Sequence, residues 1–308
     1  MEHIMGIGST DRRSFLKSAA IAGTGLLGAS GSRAQAGPKN VLSTDRMGVL
    51  VDTTVCVGCR SCEWACKTAH GIPTEPLPSY EDRSALAHGR RPNPSALTVV
   101  NEYAPAKEGG LPIDVKVQCM HCDYPACVSA CIVGAFSKEE DGSVLWDTEK
   151  CIGCRYCMVA CPFQVPTFEY KEAFRPDIAK CDFCSTRTRA GELPACVEIC
   201  PMEALTYGPR NDLLVLARQR MARDPQRYIP RIFGEHDAGG TAWLYLAARQ
   251  FSDLGFPEVG TRPLPGTAES IQHGIFAYFM PPVMLYALLG ALMWITKKRR
   301  EIDREAEQ

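Results

Sequence analysis

The most apolar part of the chain lies near its C-terminus, where residues 275–295 carry no charged side chain. This length is about what a helix needs to cross the hydrocarbon layer of a membrane. Pro281 and Pro282 interrupt the run, but membrane helices tolerate proline where neighbouring groups satisfy the freed carbonyls. The pattern predicts a single transmembrane helix over 275–295, with a buried helix of a soluble domain as the alternative.

The N-terminal residues 1–36 form a second, weaker apolar segment, with the pattern of an export signal. Arg12 and Arg13 precede a run of small and mildly apolar residues over 18–31, and residues 34–36 fit an A-x-A cleavage site. This order is typical of a twin-arginine signal. The alternative is a disordered tail that happens to contain an arginine pair.

Both ends predict the same location for the protein. Four basic residues at 297–300 follow the apolar span directly, so the positive-inside rule places the tail 296–308 in the cytoplasm. The rest of the chain then lies on the periplasmic side of the bacterial inner membrane, and the span anchors it in the lipid. A twin-arginine signal also sends a protein to the periplasmic side. We expect residues 37–46 to be a linker.

Between the two ends, apolar positions form short runs that lead into groups of cysteines. Examples are Gly48–Val51 and Val144–Trp146. Short apolar runs predict strands, so we expect a strand to enter each cysteine loop. We expect a helix to begin near the third cysteine of each group and to carry the fourth. The fold class predicted for 47–209 is therefore α+β.

All 16 cysteines fall into four quartets, and none is left over. The first and third quartets have the spacing C-x2-C-x2-C-x3-C. The second is spaced C-x2-C-x4-C-x3-C, and the fourth has an eleven-residue loop between its two pairs. In chain order, the quartets are Cys56, Cys59, Cys62, Cys66; Cys119, Cys122, Cys127, Cys131; Cys151, Cys154, Cys157, Cys161; and Cys181, Cys184, Cys196, Cys200.

The quartets alternate in type because the sequence is repeated. Residues 49–62 match residues 144–157 at nine of fourteen positions, and the Pro-Ala-Cys-Val run at 125–128 returns at 194–197. The segment 47–209 is thus an ABAB array. Only the loop over about 71–115 lies outside the repeat and carries no motif.

Three kinds of site compete for these cysteines: disulfides, zinc and iron–sulfur clusters. Disulfides are the default in an exported, cysteine-rich chain. Zinc is typically held by C-x2-C pairs separated by a knuckle. The run C-x2-C-x2-C-x3-C followed by proline is more specific and is typical of bacterial [4Fe–4S] ferredoxins. Gly58 and Gly153 allow the backbone to close around a cluster, so we expect iron–sulfur clusters.

Charge excludes one further class of function. Lys and Arg together number 34 and Asp and Glu 35, for a net charge of −1, whereas a nucleic-acid-binding domain usually carries a basic excess. We therefore expect no nucleic-acid partner.

Three segments resemble the four-cluster electron-transfer subunits of membrane-bound formate dehydrogenase, dimethyl sulfoxide reductase and related enzymes. These segments are Gln118-Cys119-Met120-His121-Cys122, residues 153–162 and Pro194-Ala195-Cys196-Val197-Glu198. Within that superfamily, the signal, the four quartets and the C-terminal span are most similar to the HybA-type periplasmic iron–sulfur subunits of nickel–iron hydrogenase. The resemblance implies duplicated ferredoxin-like domains and four [4Fe–4S] clusters.

The resemblance also implies which cysteines share a cluster, because the family pairs the first quartet with the fourth and the second with the third. The implied ligand sets are Cys56, Cys59, Cys62 and Cys200; Cys119, Cys122, Cys127 and Cys161; Cys151, Cys154, Cys157 and Cys131; and Cys181, Cys184, Cys196 and Cys66.

The function that the resemblance implies is electron transfer with no catalytic site of its own. The implied partners are the small and large subunits of a hydrogenase and a quinone-reactive multi-span membrane subunit. The alternative partner is the molybdopterin catalytic subunit of an enzyme such as formate dehydrogenase, whose iron–sulfur subunits commonly lack a signal. A free-standing membrane-anchored enzyme and a zinc-stapled structural protein are further alternatives.

Several residues outside the quartets have two interpretations each. His121, between two ligands, either packs against or tunes a cluster, or has a direct proton role. His273 is either a plain interfacial residue or one that contacts a partner or lies near a quinone site. Arg60 and Arg155 either raise potentials or are solvated. Residues 210–274 are expected to be a C-terminal extension that contacts a partner, and it begins with a predicted helix. Four arginines of this helix form either a solvated face or a docking surface: Arg210, Arg218, Arg220 and Arg223.

Overall fold

The computed structural model describes residues 46–105, 109–171, 177–265 and 282–299. The predicted signal with Arg12 and Arg13, the first part of the predicted span, His273 and the end of the tail lie outside these ranges. The strands are β1 (Met47–Asp52), β2 (Val99–Tyr103), β3 (Ile113–Val117), β4 (Phe136–Lys138), β5 (Val144–Trp146), β6 (Thr167–Phe168), β7 (Ile178–Ala179), β8 (Leu205–Pro209) and β9 (Trp243–Leu246).

The helices are mostly short and belong to the cysteine loops. They are α1 (Ser61–Ala69), α2 (Ala126–Ser129), α3 (Tyr156–Ala160), α4 (Ser185–Arg189), α5 (Ala195–Glu198) and α6 (Arg210–Arg223), with α7 over residues 282–299. The predicted mixture of short strands and helices around cysteine loops is confirmed, and β1 and β5 are the two strands expected to enter such loops.

Strand pairing divides the quartets into two pairs. β4 follows the second quartet and runs antiparallel to β5, which precedes the third. In the same way β8 follows the fourth quartet and runs antiparallel to β1, which precedes the first, with Val49 opposite Tyr207. The backbone therefore places the second quartet beside the third, and the first beside the fourth, although 114 residues (67–180) lie between the latter two.

The expected position of the fourth cysteine is correct only in the first quartet, where α1 carries Cys62 and Cys66. In the other quartets the helix ends before the fourth cysteine, which begins a turn. Cys161 and Cys200 each precede a proline, and a residue before proline is disfavoured in the helical conformation; Cys161 has φ −76° and ψ 115°. Three backbone N–H groups close these turns on the cysteine carbonyls: Gly134 on Cys131, Gln164 on Cys161 and Glu203 on Cys200.

The segment over 71–115, which carries no motif, packs against α1. Two 3₁₀ turns, Leu77–Glu81 and Arg83–Leu86, precede β2, and β2 pairs with β3. The buried Glu63 of α1 accepts hydrogen bonds from the Arg90 guanidinium and from the Val100 N–H (2.6 Å). A buried carboxylate that accepts charged hydrogen bonds is stable only with its partners in place, so this segment is fixed to the first cysteine loop.

The main core contains residues from beyond the last quartet. β9 pairs in parallel with β1, with Leu50 opposite Leu244. Trp243 and Tyr245 of β9 are fully buried together with Phe233 and Phe251. Residues 210–265 thus complete the sheet that carries the first and fourth quartets.

At the C-terminal side, the described part of the predicted span is the helix α7, whose large apolar side chains are exposed. Within the four described ranges, no helix is both long enough and apolar enough to cross a membrane.

Candidate iron–sulfur sites

All sixteen cysteines lie within the described ranges, and each has a free thiol. The disulfide interpretation therefore has no support in the structure. Most of the thiols are buried or half-buried, and only Cys154 is exposed. Burial of so many thiols without disulfides suits metal ligation. A cysteine ligand must lose its proton, and the metal then stabilises the buried thiolate.

The first and third cysteine loops have the same backbone. Gly58 and Gly153 have φ of 64° and 68°, and Arg60 and Arg155, two residues later, both have φ of 60°. A Cβ at Gly58 would lie 2.4 Å from the Asp114 carboxylate, so only glycine fits there. The tight turn directs backbone N–H groups at sulfur, as the Gly153 N–H shows by approaching Cys151 Sγ at 3.5 Å. The positive φ at both glycines gives the tight loop backbone that was expected, and its closure around a cluster stays a prediction.

The second and fourth loops repeat a different backbone. His121 and Phe183 hold equivalent places before the second cysteine and have φ of 47° and 66°. Pro125 and Pro194 precede the helices that carry the third cysteine. The rings of these two equivalent residues are in contact, with centroids 4.8 Å apart and planes tilted by 49°. The ABAB repeat of the sequence is therefore a repeat of structure.

The first set of thiols meets at a cavity between β1 and the fourth loop. Cys56, Cys59, Cys62 and Cys200 line it, and the surface that they share in the cavity is apolar. Burial raises the pKa of Cys56 to about 12, and the neighbouring Cys200 and Cys59 add to the rise. Thiols that converge on one apolar cavity suit a bound group with positive metal charge, because that charge favours the thiolate form.

A second set joins α1 to the fourth quartet. Burial raises the pKa of Cys196 to about 11, Lys116 opposes this rise, and the nearby Cys66 and Cys184 add to it. Burial also raises the pKa of Cys181 well above its usual value, with Asp182 and Cys66 adding to the rise. Cys66 thus faces the fourth quartet rather than its own.

The second and third quartets exchange their fourth cysteines in the same way. Burial raises the pKa of Cys122, and the thiols that add to the rise are Cys119, Cys127 and Cys161. Burial raises the pKa of Cys157 to about 11, and the thiols that add to that rise are Cys151, Cys154 and Cys131. These neighbours agree with the predicted ligand sets, but charges also act between sets, as that of Cys196 does on Cys62. The ligand assignment itself stays a prediction.

His121 is fully buried, and its Nδ1 accepts a hydrogen bond from the Val144 N–H at 2.8 Å. Burial lowers its pKa well below the usual value, and the charges of Lys180 and Lys138 lower it further. The ring is therefore neutral with its proton on Nε2, which has no hydrogen-bond partner among the described residues. This environment favours packing over a proton-transfer role.

The arginines that sequence analysis grouped together have different surroundings. Arg60 lies over the Tyr80 ring at 4.9 Å, whereas Arg155 lies over Phe168 at 5.4 Å. On α6, the predicted helix, Arg210 is buried and Arg218 is exposed with an ion pair to Glu235. The four α6 arginines therefore do not form one face.

Buried and half-buried polar residues near the thiols could not be identified from the sequence. His70 Nε2 lies 2.8 Å from Asp182 Oδ1, and its Nδ1 is 3.8 Å from Cys66 Sγ. Lys116 and Lys180 are buried beside cysteines as well. The only signal for these residues in the sequence is that they lie within a few positions of a quartet. Other lysines of the chain do so too.

Comparison with known proteins adds to this picture. Residues 114–210 match the family described as a 4Fe–4S dicluster domain. A protein of Nitratidesulfovibrio vulgaris is 44% identical over 96% of this chain and 80% of its own length. The hydrogenase-2 operon protein HybA of Escherichia coli O157:H7 is 31% identical over 92% of this chain and 94% of its own. The iron–sulfur subunit of the nitrate-inducible formate dehydrogenase of Escherichia coli K12 is 33% identical over 64% and 66%.

Proposed function

The chain belongs to the family of the hydrogenase-2 operon protein HybA, and we propose that it relays electrons between a periplasmic nickel–iron hydrogenase and a quinone-reactive membrane subunit. The observation that supports this proposal is that sixteen free thiols occur in four quartets, two of them with the ferredoxin-type spacing. The chain is an iron–sulfur electron-transfer subunit and not itself the catalytic one.

We place four [4Fe–4S] clusters in the chain, one at each set of thiols. The first two sets share the sheet of β1 and β8, and the other two share the β4–β5 hairpin. When bound, each cluster supplies one-electron chemistry at a potential set by its burial and by hydrogen bonds to its sulfurs. The protein contributes the thiolates, the backbone N–H groups that approach them and the apolar walls that exclude water.

The membrane location rests on the two ends of the chain. We propose a twin-arginine signal over 1–36 and a single span over 275–295, with the basic tail in the cytoplasm. The support is the uncharged run, the basic residues at 297–300 and the arginine pair, which are independent features. A signal that exports folded proteins also fits a chain whose clusters must be inserted before export.

Replacement of Arg12 and Arg13 by lysine should leave nearly all of the chain in the cytoplasm, because a twin-arginine signal depends on the pair. Cell fractionation followed by immunoblotting measures the distribution, and Lys17→Arg is the matched control that keeps the charge and the pair. Normal export of the double variant would contradict the proposed signal.

The partner is tested with the intact membrane complex. We expect the hydrogenase small and large subunits to co-purify with the chain. Deletion of the chain should abolish hydrogen-dependent quinone reduction in membranes, while hydrogen oxidation with a soluble dye continues because the catalytic subunits remain.

Two results would contradict the hydrogenase assignment: persistence of hydrogen-dependent quinone reduction after deletion, or co-purification of a molybdopterin catalytic subunit instead. The second result would favour the formate dehydrogenase alternative, which the 33% identical relative supports over about two thirds of this chain.

A further inference from the structure

Lys116 on β3 is a buried lysine whose immediate partners are all neutral. Its side chain is almost fully buried, and Nζ donates to Thr98 Oγ1 at 2.8 Å and to Gln118 Oε1 at 3.0 Å. The same ammonium lies over the Trp243 ring, 4.5 Å from its centroid. These contacts hold the charge in place without neutralising it.

Among the described residues, no carboxylate forms an ion pair with this charge. Within the described ranges, every ion pair at 4.0 Å or less involves other basic residues, and none includes Lys116. An isolated buried charge is strongly disfavoured and must be paired or neutralised. Lys116 therefore needs an anionic group nearby that is not an acidic side chain.

The groups that face Lys116 are cysteines of the first and fourth quartets. It lines the same cavity as Cys56, Cys59, Cys62 and Cys200. Cys196, Cys62 and Cys181 are the cysteines close enough for their charges to act most strongly on the ammonium. The charge thus lies between two neighbouring ligand sets, each of which is anionic when its thiolates bind a cluster.

A rigid hydrogen-bond network orients the acceptors of Lys116. Gln118 Nε2 donates to the Tyr245 hydroxyl at 2.6 Å, which leaves Gln118 Oε1 directed at the ammonium. The Tyr245 hydroxyl in turn donates to the Lys116 carbonyl at 2.9 Å. Tyr245 belongs to β9, so the strand that completes the main sheet also fixes this side chain.

We propose that Lys116 is a potential-setting residue, whose buried ammonium is the fixed counter-charge of the two clusters held by the first and fourth quartets and raises their reduction potentials. The proposal rests on the proposed function, since it requires clusters at these thiols. Its sign follows from electrostatics: reduction adds negative charge, and a nearby positive charge in a low-dielectric site favours the more negative state.

The other half of the array has different lysines, which supply a matched control. Lys138 Nζ donates to the carbonyls of His121 and Gly142, and its nearest cysteine charges are those of Cys122 and Cys119. A charge at that place acts on the cluster of the second quartet. Lys116 and Lys138 are thus expected to control different clusters.

The test is a redox titration of the cluster-loaded full chain, followed by low-temperature EPR, for Lys116→Met and Lys138→Met. Lys116→Met should lower the potentials of two signals, which are identified as those lost in Cys200→Ser and Cys181→Ser. Lys138→Met should leave those two unchanged and lower a different one. Unchanged potentials in Lys116→Met, or an equal shift of all signals, would overturn the proposal while leaving the electron-transfer function intact.

Lys116→Arg is a second variant that keeps the proposal testable if Lys116→Met fails to assemble its clusters. If Lys116→Met binds less iron, Lys116→Arg should load normally and keep the wild-type potentials, because it keeps the charge. An Lys116→Arg protein that loads fully but has both potentials lowered would overturn the proposal. Absence of iron–sulfur signals from the wild-type chain would overturn the proposed function itself.

Discussion

Replacement of Cys200 by serine is expected to remove the same EPR signal as replacement of Cys56, although the two residues belong to different quartets. The β8–β1 pairing brings the fourth loop beside the first, and Cys200 lines the same cavity as Cys56, Cys59 and Cys62. Loss of one cluster of four should lower the iron content by about a quarter, or replace the signal by that of a three-iron cluster.

Cys181→Ser is the matched control for this prediction, because it removes a ligand from the same quartet as Cys200. It should abolish a second signal and leave the one lost in Cys200→Ser. If Cys200→Ser and Cys181→Ser instead lose the same signal, each quartet holds its own cluster and the exchange of fourth ligands is wrong.

Replacement of Arg210 by methionine is expected to destabilise the folded chain strongly. This arginine is 4% exposed and donates to the carbonyls of Thr241 (2.7 Å), Gly234 (2.9 Å) and Glu235 (2.9 Å). Its removal takes the donor from the Thr241 and Glu235 carbonyls, whereas the Gly234 carbonyl keeps the Thr241 N–H. It also removes a cation that lies 4.0 Å from the buried Asp123, and together these losses cost about 3–5 kcal/mol. For a domain of this size we expect the apparent Tm of the cluster-loaded protein to fall by roughly 6–20 °C.

Arg218→Met on the same helix is the control for that measurement. Arg218 has the same charge but a 57% exposed side chain, with its ion pair to Glu235 at the surface. Exposed pairs contribute less than about 1 kcal/mol, so its Tm should change by no more than about 4 °C. Equal effects in the two variants would show that Arg210 does not fix residues 234–241 to the first turn of α6.

The local features of the cysteine loops could be predicted from the sequence because short-range sterics determine them. Gly58 and Gly153 adopt the positive φ that the spacing of the thiols requires, and their repeat predicts one backbone twice. Strands β1 and β5 were visible as short apolar runs. The end of α3 at Ala160 was also within reach, since Pro162 disfavours a helical Cys161.

Features that depend on contacts between distant parts of the chain could not be predicted in this way. The pairing of β9 with β1 joins residues nearly two hundred positions apart, and no local pattern marks it. Arg210 and Arg218 are alike in sequence, and only the fold makes one buried and the other exposed. Lys116 is a lysine in an ordinary strand until Trp243 and the cysteine loops enclose it.

Metal and sulfide analysis of the full chain, purified without oxygen, decides whether the sixteen thiols hold four [4Fe–4S] clusters. We expect about sixteen iron atoms and about sixteen acid-labile sulfides per chain, with EPR signals of reduced clusters and no zinc. Zinc without labile sulfide, or a chain that folds with neither iron nor sulfide, would contradict it.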